Sequence, residues 1–422
     1  MKLGKTVLYS GLITFSKTLA GFISTKVVAS VVGPSGVAVI GAFINFIAIV
    51  LAFGNGAINS GIVKYTAEYK NNIQKSFKLF NTALFISVVF SAICCVILLI
   101  FSNYFSILIF TTDKYSYIIR CLGFFLLFYA LNTLLISILN GRGLINVYTV
   151  VNTIGTFVSV LLTCALVYFY KVEGALYALI FSQSLMFIFT FYFFFKKTEF
   201  PKKNFKLTYN KIIGKNLFSY SFMAIITALT MPVSQIIIRN LIIESEGTDQ
   251  AGIWQGIMRI SDAYLLVIVT ALGTYYLPKL SSLKDNGLIR KEILQGYKYV
   301  IPVTFVGLVT VFFLRNFIIR LLYTESFISM SELFLWQLIG DLFKMTSYIL
   351  AYVMLAKAQV KLYIATEIIF SALYVFLSYI FISFYGVVGT TYAFALNYFL
   401  YMIILFIYFR KLLKIKNAEF KF

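Results

Sequence analysis

Tyr170-Lys171-Val172-Glu173-Gly174-Ala175-Leu176-Tyr177-Ala178 and Tyr385-Gly386-Val387-Val388-Gly389-Thr390-Thr391-Tyr392-Ala393 share five of nine residues at a separation of 215 positions. The same offset, without gaps, pairs Arg142 with Lys357, Tyr148 with Tyr363 and Gly41 with Gly256. It is close to half of the 422 residues. One such match is chance; a shared offset reads as an internal duplication of the kind built into many transporters.

Each nonapeptide opens a long apolar run, and the whole chain is of that character. It is 61% hydrophobic and 12% charged, with mean hydropathy +0.91. Soluble domains carry about 25% charged residues. No polar stretch is long enough for a separate soluble domain. Apolar segments long enough to cross a bilayer fall near 6–31, 37–59, 79–101, 117–139, 145–169, 174–195, 214–241, 250–275, 296–318, 333–356, 361–384 and 387–409. The expected fold is therefore all-α and polytopic, with twelve transmembrane helices. Six spans per half make both halves run the same way, a parallel repeat. The halves are 1–200 and 214–422, joined by the basic connector 201–213 with Pro201. Lys2 and Lys5 precede the first apolar run, but that run holds two lysines and leads straight into a second span at Gly33-Pro34-Ser35-Gly36. A cleaved signal is not expected.

Charge sets the expected orientation. Of 36 Lys and Arg residues, 26 fall in the tails and in the connections on the same side as the tails. The other side carries about five, together with Glu244, Glu246 and Asp249. By the positive-inside rule both termini lie in the cytoplasm. The net charge of +21 is then a topology signal and a means of contacting anionic headgroups, with no nucleic acid implied.

Histidine is absent, which excludes His-based metal sites and Ser/His or Cys/His catalysis. Cys94, Cys95, Cys121 and Cys164 lie in or beside apolar spans and read as small core hydrophobes without disulfides. No cofactor, no metal and no catalytic residue is expected, and the chain does not read as an enzyme.

Eight charges nevertheless sit in segments that should be in hydrocarbon: Lys17, Lys26, Arg239, Arg259, Asp262, Asp341, Lys344 and Glu367. Each costs roughly 2.5–3.5 kcal/mol at a helix centre if unpaired and dry, so a wet or mutually paired interior is required. Five are positive and three negative, which suits an anionic substrate. On the first span Thr14, Lys17, Gly21 and Ser24 form one polar stripe. Lys26 lies opposite, and joins that face only across a kink or else snorkels to the interface. Gln255, Arg259 and Asp262 share one helix face; Gln337, Asp341, Lys344 and Tyr348 share another. Arg259–Asp262 and Asp341–Lys344 are each spaced to pair directly, either as packing locks or as groups lining a passage. Glu367 shares a face with Tyr363 and Tyr374, with Lys361 or Lys357 as a candidate partner. Arg239 reads as an outer anchor or a gate. Pro232, in mid-span, should kink or loosen its helix, statically or as a hinge.

Further segments carry a family resemblance: Gly33-Pro34-Ser35-Gly36, Lys64-Tyr65-Thr66-Ala67-Glu68-Tyr69, Gly252-Ile253-Trp254-Gln255-Gly256, Ile260-Ser261-Asp262-Ala263-Tyr264-Leu265, Trp336-Gln337-Leu338-Ile339-Gly340-Asp341 and Leu355-Ala356-Lys357-Ala358. Together with Lys17 and Lys26, over essentially the whole chain, they resemble the Wzx-type O-antigen and polysaccharide flippases of the multidrug/oligosaccharidyl-lipid/polysaccharide superfamily. Within it, the likeness is to the branch handling the lipid intermediate of enterobacterial common antigen. The resemblance implies a V-shaped pair of six-helix lobes in the bacterial inner membrane. It also implies alternating-access transfer of undecaprenyl-diphosphate-linked oligosaccharide to the periplasmic leaflet. Lys17, Lys26, Asp262, Asp341 and Lys344 would line the cavity; Arg259 departs from the family pattern. An O-antigen polymerase and a chain-length regulator would be neighbours. A drug or organic-cation exporter of the same superfamily is the alternative, disfavoured by the cationic interior. A polymerase or glycosyltransferase would need a large loop or a nucleotide-sugar motif, and neither is present.

Overall fold

The computed structural model describes residues 3–197 and 206–414, and among these every regular element is a helix. In chain order they are α1 (Leu3–Gly54), α2 (Asn59–Glu68), α3 (Ile73–Ile100), α4 (Ser102–Phe110), α5 (Ser116–Gly141), α6 (Ile145–Lys197) and α7 (Lys211–Glu246). There follow α8 (Thr248–Ala271), a π turn (Leu272–Tyr276), α9 (Leu277–Ser282), α10 (Asn286–Leu322) and a 3₁₀ stretch (Glu325–Leu333). The last elements are α11 (Phe334–Ala356), α12 (Val360–Tyr408) and α13 (Arg410–Lys414).

Among the described residues, nine helices are long and apolar enough to cross a membrane, where twelve spans were expected. Three of the nine are interrupted. α1 has 52 residues, α6 has 53 and α12 has 49. At about 1.5 Å per residue each would run for over 70 Å, more than twice a hydrocarbon core of about 30 Å. Each carries one residue with non-helical dihedrals: Gly33 (φ 66°, ψ −170°), Lys171 (φ 50°, ψ −124°) and Gly386 (φ 58°, ψ −146°). All three lie where the sequence placed a boundary between two spans.

The duplicated nonapeptide is the turn itself. Lys171 and Gly386 occupy its second position. Three residues later, Gly174 and Gly389 let the returning arm pass the arm before the break. A Cβ on Gly174 would sit 1.9 Å from the Leu166 carbonyl oxygen, and one on Gly389 would sit 2.2 Å from that of Phe381. No side chain fits there. The backbone repeats in other places as well. Gly143 and Ala358 both have positive φ and are 215 residues apart; Gly33 and Gly247 do likewise at 214. Arg142 and Lys357, also 215 apart, have corresponding partners. Arg142 Nη1 donates to the Lys70 carbonyl at 2.7 Å. Lys357 Nζ donates to the carbonyls of Leu280, at 3.0 Å, and Leu283. Each cation thus caps main-chain oxygens left over at a helix connection.

Two of the acidic residues around the α7–α8 corner do the opposite job. Glu246 accepts a hydrogen bond from the Val387 N–H at 2.9 Å, and Asp249 accepts one from the Ser35 N–H at 3.1 Å. Both N–H groups open a helical arm just after a break, where a carboxylate is favoured. Gly252 brings α8 against the same turn, since a Cβ there would lie 1.8 Å from the Pro34 carbonyl oxygen.

The chain divides into two compact units, one of 1–32 with 39–233 and the other of 33–38 with 234–422. The first is centred on Ile58, Ile62, Leu79, Phe80, Ile138 and Leu217. The second is centred on Leu280, Ile289, Ile293, Ile349, Leu350 and Met354. Within the connector, the described residues are pinned to the first unit: Lys206 N–H donates to Asn81 Oδ1 and Asn210 N–H to Thr82 Oγ1; Pro201 lies outside the described residues. The division falls within α7, beside Pro232. α7 nonetheless runs unbroken through that residue. A proline removes one main-chain hydrogen bond, and here the helix continues past the loss.

Candidate functional site

Two polar groupings are built inside the helices, one in each unit. In the second unit, α8 and α11 meet at Asp341, which is fully buried. Ser261 Oγ donates to its carboxylate at 2.8–2.9 Å. Tyr264 OH donates to Oδ2. Gln337 Nε2 reaches Oδ1 at 3.5 Å and Ser261 Oγ at 3.4 Å. Ser261 and Tyr264 are three apart on α8, and Gln337 and Asp341 four apart on α11, so each pair presents one face. Hydroxyl and amide donors therefore solvate this carboxylate in place of water, as a buried charge requires.

Lys344, one turn further along α11, is also buried. Its Nζ lies 5.9 Å from the Tyr348 ring centroid, 5.8 Å from Phe394 and 5.6 Å from Tyr398, the latter two on the second arm of α12. Three ring faces thus surround the ammonium. It also lies in the field of Asp262, Asp341 and Glu367.

The expected direct pairs are not formed. Among the described residues, ion pairs within 4 Å are Lys114–Glu173 and Arg320–Glu325, both between exposed side chains. Asp341 is held by neutral donors and Lys344 by rings. Arg259, half-buried, acts on the exposed Asp262 only beyond contact distance. Three-residue spacing permits a pair; here better hydrogen-bond geometry is offered from neighbouring positions. Gln255 is buried, and among the described residues its Oε1 faces no donor. Glu367 is half-buried and close enough to Lys344 and Tyr363 to act on both, whereas Lys357 spends its protons on main-chain carbonyls. Arg239 is 1% exposed and donates to Asn240 Oδ1 at 2.8 Å.

In the first unit, α1, α5 and α6 line a half-open pocket of about 300 Å³. Lys17, Gly21 and Ser24 of the α1 stripe line it; the side chain of Thr14 lies outside the described residues. Facing them are Asn132 of α5 and Asn152, Thr156, Ser159 and Gln183 of α6. Thr190 Oγ1 donates to Asn132 Oδ1 at 2.6 Å, and Asn132 Nδ2 donates to Gln183 Oε1 at 3.3 Å. Lys26 is half-buried and is not among the lining residues. The break in α1 comes only at Gly33, so no kink turns Lys26 onto the face of Lys17.

Asn132, Asn152 and Gln183 escaped the sequence reading, and Ser261 and Tyr264 entered it only within a family segment, without a role. Neutral polar residues carry a small insertion cost and so raise no alarm in an apolar run. A polar face at helical spacing, Asn152-Thr156-Ser159, was the available signal.

Residues 3–284 match the family described as polysaccharide biosynthesis protein. The chain belongs to that family. Across 95% of its length, this member of the polysaccharide biosynthesis protein family is 29% identical to the Lipid III flippases of Escherichia coli K12 and Shigella flexneri, covering 96% of each. Among solved structures it is similar to an inward-facing multidrug resistance MATE family transporter of the MOP superfamily. The TM-score is 0.79 at 17% identity, over 95% of this chain and 96% of that one. A MOP superfamily transporter from Pyrococcus furiosus gives 0.71 at 15% identity, over 96% and 95%. At such identities the likeness shows the fold. The all-helical, MATE-like fold class and the family expected from the sequence are both borne out, and the chain is a multi-pass membrane protein.

Proposed function

We propose that this protein is a flippase for lipid-linked oligosaccharide, moving undecaprenyl-diphosphate-linked glycan from the cytoplasmic to the periplasmic leaflet by alternating access. The observation that carries the reading is the Lys17 pocket, where a cation shares an otherwise apolar lining with hydroxyls and amides and, among the described residues, with no carboxylate. An anionic, hydroxyl-rich headgroup matches that lining, while its polyprenyl tail stays in lipid. An organic cation does not match it, which counts against a drug exporter. The naming of the two full-length relatives as Lipid III flippases supports the same substrate class.

In this reading the halves 1–200 and 214–422 are the moving bodies and both termini are cytoplasmic, in the inner membrane. Lys17, Ser24, Gln255, Arg259, Asp262, Asp341, Lys344 and Tyr348 serve the substrate path. Pro232, beside the division of α7, serves as the hinge, with Arg239 and Glu367 as gate residues. A polymerase and a chain-length regulator receive the flipped glycan. Lys17→Ala and Lys344→Ala should each abolish complementation of a flippase-null strain while protein levels in the membrane stay normal. Full complementation by both variants would remove these lysines from the path.

A further inference from the structure

We propose that α10 and α13 of the second unit form a surface site for anionic phospholipid headgroups, held by Arg290, Lys291, Arg410 and Lys414. The proposal stands apart from the flippase reading. α13 is a short helix with one apolar anchor: Leu412 is 6% exposed and belongs to the core of the second unit. Arg290 Nε of α10 donates to the Leu413 carbonyl at 2.8 Å. This bond fixes α13 across the first turns of α10 and leaves both Nη groups of Arg290 as donors. Arg410 and Lys414 are four apart and share a face of α13; both are exposed, as is Lys291. Packing thus gathers four cations, and like charges on neighbouring turns repel. The acidic residues at this end of α10 are engaged elsewhere. Asp285 caps the helix by accepting from the Leu288 N–H at 2.8 Å, and Glu292 is 9% exposed and acts on Tyr276.

The depth of the cluster identifies its partner. The second arm of α12 runs from Val387 to Tyr408, about 33 Å at 1.5 Å per residue, close to the thickness of a hydrocarbon core. α13 starts two residues later and so begins in the headgroup layer. The Arg290–Leu413 bond places that turn of α10 at the same depth. Exposed apolar side chains accompany the cations. Leu288, Lys291, Leu294, Lys298 and Tyr299 fall within about 140° on an ideal helix, and Leu288, Leu294 and Tyr299 are 51%, 44% and 64% exposed. Lysines interleaved with Leu and Tyr make the surface of an interfacial helix, and a cluster of four or more cations beside a membrane span recognises acidic lipid. A phosphodiester headgroup meets the cations while its acyl chains cover Leu294 and Tyr299. A soluble acidic segment would match the charge and leave those side chains bare.

The test places a bimane fluorophore at Gln295→Cys, an exposed position on α10, in the full chain lacking its four native cysteines. The protein is reconstituted in phosphatidylcholine vesicles holding a minor share of phosphatidylglycerol or phosphatidylcholine brominated in the acyl chain. Quenching by the two lipids is compared. Brominated phosphatidylglycerol should occupy the site at least about fivefold more readily, the worth of one well-placed cation. Salt near 1 M, which cuts the screening length to about 3 Å, should shrink that preference. Lys291→Gln with Lys414→Gln, two exposed side chains that support no packing, should bring it to about twofold or less, and Lys291→Arg with Lys414→Arg should keep it. A fluorophore at Phe384→Cys, 75% exposed at the other end of the α12 arms, should report no preference. Equal quenching by the two lipids at Gln295→Cys, an unchanged preference in the double Gln variant, or the same preference at Phe384→Cys would overturn the site. So would binding of soluble polyglutamate in place of phosphatidylglycerol, which would assign the surface to an acidic protein segment.

Discussion

Asp341 shows what the individual residue contributes. Its carboxylate is the shared acceptor of Ser261, Tyr264 and Gln337, so removing it strands three buried donors at once. Each stranded group costs about 1–3 kcal/mol. Asp341→Ala should therefore lower the melting temperature in detergent by roughly 5 °C or more, and Ser261→Ala, which removes one donor and leaves the acceptor served, by much less. Equal melting of Asp341→Ala and wild type would show that the carboxylate is not structurally engaged. The sequence disclosed that Asp341 and Lys344 needed company, because their cost in hydrocarbon is large. It did not disclose the company. Ser261 and Tyr264 are 80 and 77 positions from Asp341, and three ring faces around Lys344 come from two helices. Such partners are fixed by tertiary packing, to which local spacing is blind.

Among the elements, the breaks in α1, α6 and α12 follow from backbone dihedrals and close approach. Gly174→Ala and Gly389→Ala each press a Cβ into a main-chain oxygen. Each should cost on the order of 3 kcal/mol, seen as reduced membrane yield and lower thermal stability. Gly307→Ala, where a Cβ meets nothing within 4 Å, should be neutral or slightly stabilising. Lys171 is a lysine in a conformation that its repeat partner fills with glycine. Lys171→Gly should relieve on the order of 1 kcal/mol of strain and raise the melting temperature. A fall would show that the side chain, beside the Lys114–Glu173 pair, matters more than the backbone. These turns were legible in sequence because glycine identity survives duplication. Pro232 was legible only as a residue; that α7 continues helically past it depends on the packing around it.

For the whole molecule, the duplication is visible in letters at a few places and in backbone conformation at more. Gly143 and Ala358 share no letter, yet share a positive φ. Arg142 and Lys357 differ too, yet both cap carbonyls. Burial lowers the pKa of both side chains by desolvation. Orientation is checkable with single cysteines in a background lacking the four native thiols. From the basic-residue distribution, Asp113→Cys should react with an impermeant maleimide in intact cells and Lys284→Cys only after lysis. The reverse pattern would invert the proposed direction of transport.

The α7–α8 corner has one more consequence. Glu246 and Asp249 stand either side of Gly247 and hold the first N–H groups of two separate membrane arms, at Val387 and Ser35. Two helices far apart in the chain thus take their starting point from one short loop. By its exposure and polarity that loop would be an obvious place to insert an epitope tag or a fluorescent domain, but an insertion there moves both carboxylates and unseats two helices together. The loop around Asp113 touches another helix start, the second arm of α6, through the exposed Lys114–Glu173 pair, a weak tie, and is the safer place for a label.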